Sequence, residues 1–210
     1  MKRKKKAKRL IGQVFFICIV LFGAMSFISI LSMKGNVDNL SKMQEGYPQI
    51  TKEVQNYRPL VEKYAKEYEV TPYIDVLLAV MMQESGGRGK DPMQSSESFC
   101  GKVGCIKDPE QSIKQGVYYF SEVLNDAKGD LKLAIQSYNF GRGFINYVLE
   151  ETGSYSEEIA IDFSQKMYEN ASDKSIYSCL RKEAKQYNAC YGDIYYVQSV
   201  MKYKEGLALE

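Results

Sequence analysis

Apolar residues recur every three to four positions through most of residues 51–207, and this pattern predicts a mainly α domain there. Pro59 can start a helix in which Leu60, Val61, Tyr64, Ala65 and Tyr68 share one face. Thr71-Pro72 reads as an N-cap followed by a first-turn proline, opening a helix that ends near Glu84. Its stretch Ile74 to Met82 is almost continuously apolar, as expected of a buried helix. Asp108-Pro109-Glu110-Gln111 repeats the cap-and-proline design, with a glutamine at the capping-box position. Ile113, Val117, Phe120 and Leu124 then recur at helical spacing up to Gly129. Further helices are expected at about 131–138, 143–151, 156–170 and 193–204. Loop signals crowd into 85–108, with room there for a short hairpin, and no segment alternates convincingly as a strand.

The pattern before residue 51 is different. Residues 1–9 hold seven positive charges, and 10–33 (Leu10 to Met33) carry none. An uncharged helix of that length would extend roughly 36 Å, enough for a hydrocarbon core of about 30 Å. The basic flank places 1–9 in the cytoplasm and the rest outside. A signal peptide would have a shorter apolar region and a small-residue exit site, so an uncleaved transmembrane anchor is the expectation. Cys18 falls inside that span as an ordinary thiol. Residues 34–50, with Gly35, Asn36, Gly46 and Pro48, read as a polar stalk.

Charge adds to this picture. The formal net charge is +2, but seven of the 28 basic residues sit in the first nine positions, so 21 face 26 acidic ones beyond them. The outer part is therefore acidic, and no nucleic-acid partner is expected. The chain has no histidine, which removes Ser-His-Asp and Cys-His catalysis and every histidine-containing zinc site. Gly86-Gly87-Arg88-Gly89 lacks the strand before it and the Lys-Ser/Thr pair after it that a phosphate loop needs. Neither a metal nor a cofactor is called for. Carboxylates remain as the acid–base groups, which points toward glycoside chemistry. Outside the expected span the cysteines form two close pairs, Cys100/Cys105 and Cys179/Cys190. In an exported domain they are expected as two local disulfides, the alternative being free thiols.

The candidate acid is Glu84, where the apolar helix meets Gly86, Gly87 and Gly89. Burial there disfavours the charged form and can hold the carboxyl protonated near neutral pH. An ordinary helix end with a glycine cap reads the same way. Asp91 follows seven residues on, either as a second carboxylate or as a turn residue before Pro92. There are 17 tyrosines and no tryptophan. Such faces with polar tips suit sugar rings, although most should simply be half-buried on amphipathic helices.

Four segments together resemble one superfamily. Gln83-Glu84-Ser85 is similar to the Glu-Ser motif of goose-type lysozymes and soluble lytic transglycosylases. Asp91-Pro92-Met93-Gln94 stands where those proteins have Gly-Leu-Met-Gln. Ser137-Tyr138-Asn139-Phe140-Gly141 resembles their Ala-Tyr-Asn-x-Gly, and Tyr195-Tyr196-Val197-x-x-Val200 their late Tyr-Val motif. All four occur in the family's order. Asp91 through Ser98 resembles more particularly the CwlT-like lysozyme domain, found in cell-wall hydrolases of Gram-positive conjugative elements.

The resemblance implies a lysozyme-like helical domain after the transmembrane helix. Its substrate would be the glycan strands of peptidoglycan, and it would work beside a conjugation machine. Glu84 would protonate the oxygen between N-acetylmuramic acid and N-acetylglucosamine. Ser85, Gln94 and Ser95 would shape the site around the sugar. Tyr138 and Asn139 would hold the ring and its N-acetyl group, and Tyr195 would close the cleft near Glu84. Asp91 departs from the usual glycine. As a second carboxylate it would activate water, giving a muramidase; without one, the substrate's 6-hydroxyl would attack, giving a lytic transglycosylase. An inactive glycan-binding or scaffold subunit of a secretion apparatus is the alternative from another class.

Overall fold

The computed structural model describes residues 46–209, together with Met25. The expected basic tail, most of the expected membrane span and most of the stalk lie outside the described residues. Among the described residues no helix is long and apolar enough to cross a membrane.

Tyr47–Ala208 forms one compact unit. Nine α-helices are found among the described residues: α1 (Lys52–Asn56), α2 (Arg58–Glu67), α3 (Ile74–Glu84), α4 (Ser96–Cys100), α5 (Pro109–Asp126), α6 (Leu131–Phe140), α7 (Gly143–Glu151), α8 (Glu157–Glu169) and α9 (Tyr196–Leu207). Short 3-10 turns span Thr71–Tyr73, Lys174–Ile176 and Glu183–Tyr187. Ile50, at the end of the expected stalk, is buried with the core, so the folded unit starts slightly earlier than the pattern suggests.

Side-chain caps set several of these boundaries. Asp108 accepts from Gln111 N at 2.9 Å, with Pro109 as the first residue of α5. Asp130 accepts from Leu133 N at 3.0 Å and Ser156 from Ile159 N at 3.3 Å, starting α6 and α8. Each satisfies one of the N–H groups that a helix start leaves without an intrahelical partner. Thr71 does not act in this way. Thr71-Pro72 opens the 3-10 turn, which has no side-chain cap, and α3 begins at Ile74. Proline fixes φ for a tight turn as well as for a first helical turn, so both readings suit the same dipeptide.

α3 is the axis of the domain. Val76, Leu77, Leu78, Ala79, Val80 and Met81 are all buried, because α9, α2 and α1 pack around it. α5 packs on α2 and α6, and α9 also touches α6. Phe140, Phe144 and Phe163 meet with ring centroids 5.0–5.5 Å apart, tying α6 to α7 and α8. The 85–108 segment contains the short helix α4 and no strand, so the hairpin it had room for is not formed. The framework thus holds the C-terminal end of α3, the loop after it, the end of α6 and the start of α9 against one another.

Candidate active site

Glu84 is the last residue of α3, and the chain turns away directly after it. Gly86 and Gly87 take φ of +64° and +77°, where a side chain is strained. At Gly87 a Cβ would also stand 2.8 Å from the backbone nitrogen of Val54, so the turn can lie against α1 only as glycine. Ser85 staples the loop. Its hydroxyl donates to Pro92 O at 2.7 Å and accepts from Gly87 N at 3.0 Å.

One oxygen of Glu84 accepts from the hydroxyl of Tyr196, 2.5 Å away in the first turn of α9. Burial pushes the Glu84 carboxyl up to about 7. The Tyr196 hydrogen bond opposes that rise, and the negative charges of Asp91 and Asp193 add to it. The side chain stays partly open to the cleft. A carboxyl poised near neutrality in a recess can give up a proton at physiological pH, as a general acid must.

Asp91 is built differently. Oδ1 accepts from Ser112 Oγ at 2.6 Å and Ser95 N at 2.9 Å; Oδ2 accepts from Ser96 Oγ at 2.6 Å and Ser96 N at 3.0 Å. Burial alone would raise this carboxyl, but the bonds from Ser112, Ser96 and Ser95 outweigh it and hold the group below its ordinary value. Asp91 therefore ties the glycine loop to α4 and, through Ser112, to α5. Ser95 and Ser96 are buried in this web, with Ser95 Oγ also donating to Ser112 O at 2.9 Å.

The cleft lies beside these acids. One lobe is lined by Glu84, Asp91, Gln94, Ser96, Glu97, Val103, Tyr138 and Asn139. An adjoining lobe shares Gln94, Glu97, Tyr138 and Asn139, and adds Ser95, Ser98, Tyr119, Phe140, Gly141 and Tyr191. Gln94 is exposed, with a φ of +48° and its amide bonded to Asp91 O at 2.8 Å. Tyr138 donates to Met93 O at 2.9 Å, and burial raises its hydroxyl well above the usual value. Asn139 Oδ1 accepts from Asp193 N at 2.8 Å, leaving its amide N–H groups free of that contact.

The structure brings Glu84, Asp91, Gln94, Tyr138 and Asn139 to one lobe and Ser95 to the next. Ser85 and Tyr195 do not line either lobe. The expected closure beside Glu84 by Tyr195 is corrected: the tyrosine against Glu84 is Tyr196. Tyr195 is half-buried among the charges of Glu157, Glu183 and Arg181.

Three residues missed by pattern reasoning support the site. Asp193 is buried, accepts from Arg181 Nη2 at 2.6 Å and Nε at 3.1 Å, and accepts from Tyr195 N at 3.0 Å, so it fixes the approach to α9. Ser112 looks like any first-turn serine. Gly116 lies inside α5, where a Cβ would stand 2.6 Å from Met93 Cβ and 2.8 Å from the Tyr138 hydroxyl. A helix-interior glycine costs about 1 kcal/mol against alanine, so its presence was a signal of close packing. The cysteines are paired locally, Cys100 with Cys105 and Cys179 with Cys190, at Cα separations of 6.8 and 4.3 Å. The first closes the loop that carries Val103 to the cleft, and the second closes the segment that carries Arg181.

A family model described as lysozyme-like matches residues 51–204. Over 157 residues the chain is 41% identical to the "Bifunctional muramidase/DL-endopeptidase CwlT" of Bacillus subtilis, covering 75% of this chain and 43% of that one. It is 36% identical over 202 residues to the "Uncharacterized membrane protein YocA" of the same organism, covering 94% of this chain and 88% of the relative. A solved structure from Staphylococcus aureus, described as similar to a lipoprotein of the NLP/P60 family, superimposes with a TM-score of 0.64 at 40% identity. That match covers 74% of this chain and 54% of the other. The chain thus spans less than half of the muramidase/endopeptidase it resembles.

Proposed function

Because the chain belongs to the lysozyme-like family, we propose that it cleaves the β-1,4 bond between N-acetylmuramic acid and N-acetylglucosamine in peptidoglycan, with Glu84 as the general acid. The observation that carries this reading is the Glu84 carboxyl, raised to about 7 and held by Tyr196 at the edge of an open cleft. Protonated Glu84 delivers its proton to the glycosidic oxygen as the bond to C1 breaks. Tyr138 and the free amide of Asn139 line the same lobe, where a ring and an N-acetyl group can lie against them. Gln94 and Ser96 line that lobe as well, and Ser95 lines the adjoining one.

The muramidase outcome, with water as acceptor and a reducing end on the product, follows the relative named for that activity. The lytic transglycosylase outcome is favoured by one observation. Asp91 spends its oxygens on Ser95, Ser96 and Ser112, which makes it a fixed anion and a poor base. The anchor at 10–33 would tether the activity to the outer face of the membrane, in keeping with a relative named as a membrane protein. Opening of the wall beside a conjugation apparatus extends the resemblance to that branch. The full-length chain in detergent, mixed with purified peptidoglycan, is expected to release muropeptides whose masses identify the reaction. Reducing ends mark hydrolysis, and ends lighter by one water mark transglycosylation. No soluble product from a folded protein would overturn the assignment.

A further inference from the structure

The lobe that holds Glu84 presents three carboxylates, Glu84, Asp91 and Glu97. Two of them already have tasks. Glu84 is bound by Tyr196 and stands at the end of the buried helix. Asp91 accepts short bonds from two hydroxyls and two backbone N–H groups, which fill the four lone-pair sites of a carboxylate. A water that approached Asp91 would have to displace one of them, and the loop would lose its anchor.

Glu97 is placed differently. It lies in the first turn of α4, one residue after the Ser96 that Asp91 holds, and its side chain is exposed. Among the described residues no side chain or backbone N–H donates to its carboxylate. It lines both lobes of the cleft, so it stands where they meet, beside Gln94, Tyr138 and Asn139. Of the three acids, it alone both faces the cavity and has its oxygens free.

We propose that Glu97 is the general base of the hydrolytic reaction, activating the water that attacks C1. The inference rests on the muramidase reading above. In the step, the Glu97 carboxylate removes a proton from water as the water oxygen bonds to C1. The C1–O bond to the leaving sugar breaks on the opposite face, and Glu84 gives its proton to that departing oxygen. One water is consumed, Glu97 ends protonated and Glu84 ionised, and solvent restores both. A base that acts through water inverts the anomeric centre, so a β-linked strand yields an α product first. In this arrangement Asp91 is a positioning residue. It pins Ser95 and Ser96, and thereby the turn of α4 from which Glu97 reaches the cleft.

The test uses the full-length chain in detergent, with Glu97→Gln and Glu97→Ala beside wild type. Hydrolysis rate, product mass and the anomer formed first are read by mass spectrometry and NMR. Both variants are expected to melt with wild type, since Glu97 is exposed, and to lose about 10²- to 10⁴-fold in rate. Added sodium azide, an anion that needs no base, is expected to restore rate to Glu97→Ala and to give an α-glycosyl azide. Wild-type hydrolysis by Glu97→Gln would overturn the proposal while leaving the muramidase reading intact. A β product from wild type would do the same. If wild type yields solely 1,6-anhydro ends, the hydrolytic reading itself fails and the role of Glu97 fails with it.

Discussion

The hydroxyl of Tyr196 lies 2.5 Å from Glu84 Oε1, joining residues 112 positions apart in the chain. This bond favours the ionised carboxylate and opposes the rise that burial imposes. Tyr196→Phe removes that opposition. The Glu84 carboxyl then climbs above its value of about 7 and stays protonated to higher pH. The alkaline limb of the pH–rate profile is expected to move upward in Tyr196→Phe and to stay in place in Tyr195→Phe. A shift in Tyr195→Phe alone would return the contact to Tyr195, and identical profiles would mean that the Tyr196 hydroxyl does not tune Glu84.

Which tyrosine meets Glu84 marks the limit of what the sequence conveyed. The apolar run of α3 and the glycines after it are local signals, and they located Glu84 and the turn correctly. Tyr195 and Tyr196 are adjacent, and on a helix neighbouring residues point about 100° apart. The choice between them depends on the docking of α9 on α3 and on the anchoring of its first turn by Asp193, which are tertiary facts. The same holds for Asp91 and Ser112, 21 residues apart, whose bond exists because α5 passes behind the loop. The short helix α4 was hidden among serines and glycines that read equally well as loop.

Glu84→Gln is expected to reduce glycan cleavage by 10²-fold or more, because an amide has no acidic proton to deliver. Its stability should move the other way. A carboxyl raised from 4.5 to about 7 binds its proton more tightly when folded, so its stabilising effect is fullest below 4.5 and is lost as pH climbs through 7. Glutamine escapes that loss. The variant should melt with wild type at pH 4 and above it at pH 8.5, as read by differential scanning calorimetry. Equal melting at both pH values would show that Glu84 is not desolvated.

Gly116→Ala should destabilise despite alanine's better helix propensity. The added methyl meets Met93 and the Tyr138 hydroxyl at 2.6–2.9 Å, and the Tyr138–Met93 hydrogen bond lies behind them. Overpacking of this kind costs about 1–3 kcal/mol, more than the ~1 kcal/mol gained in propensity. A fall in melting temperature with a weakened KM for glycan is the expected result. A higher melting temperature would mean that α5 can move away freely.

The two disulfides close short loops, with partners separated by 5 and 11 residues. Constraint of the unfolded chain then contributes about 2 and 3 kcal/mol respectively. Cys179→Ser/Cys190→Ser is expected to be the more damaging pair. It frees the segment from which Arg181 reaches Asp193, whereas Cys100→Ser/Cys105→Ser frees the rim at Val103. Urea titration of the two double variants orders them, and non-reducing peptide mapping checks the pairing. Crossed pairs in the map would remove the basis for this ordering.

Asp91→Asn separates an anchor from a base. The carboxylate receives hydroxyls and N–H groups on both oxygens, and its pKa is lowered. A depressed carboxyl contributes stability above its unfolded value of 3.8, lost as pH falls through the lower folded value. Asparagine can still accept on one atom, but its NH2 group would face the Ser96 N–H, donor against donor. Leaving such groups unpaired costs about 1–3 kcal/mol. Asp91→Asn should therefore melt lower than wild type at pH 7, and the gap should narrow as pH falls through the folded pKa of Asp91. Hydrolysis should slow strongly because α4 and its Glu97 lose their seat, and azide should not rescue it. A variant with wild-type stability, slow hydrolysis and rescue by azide would make Asp91 the base and remove Glu97 from that role.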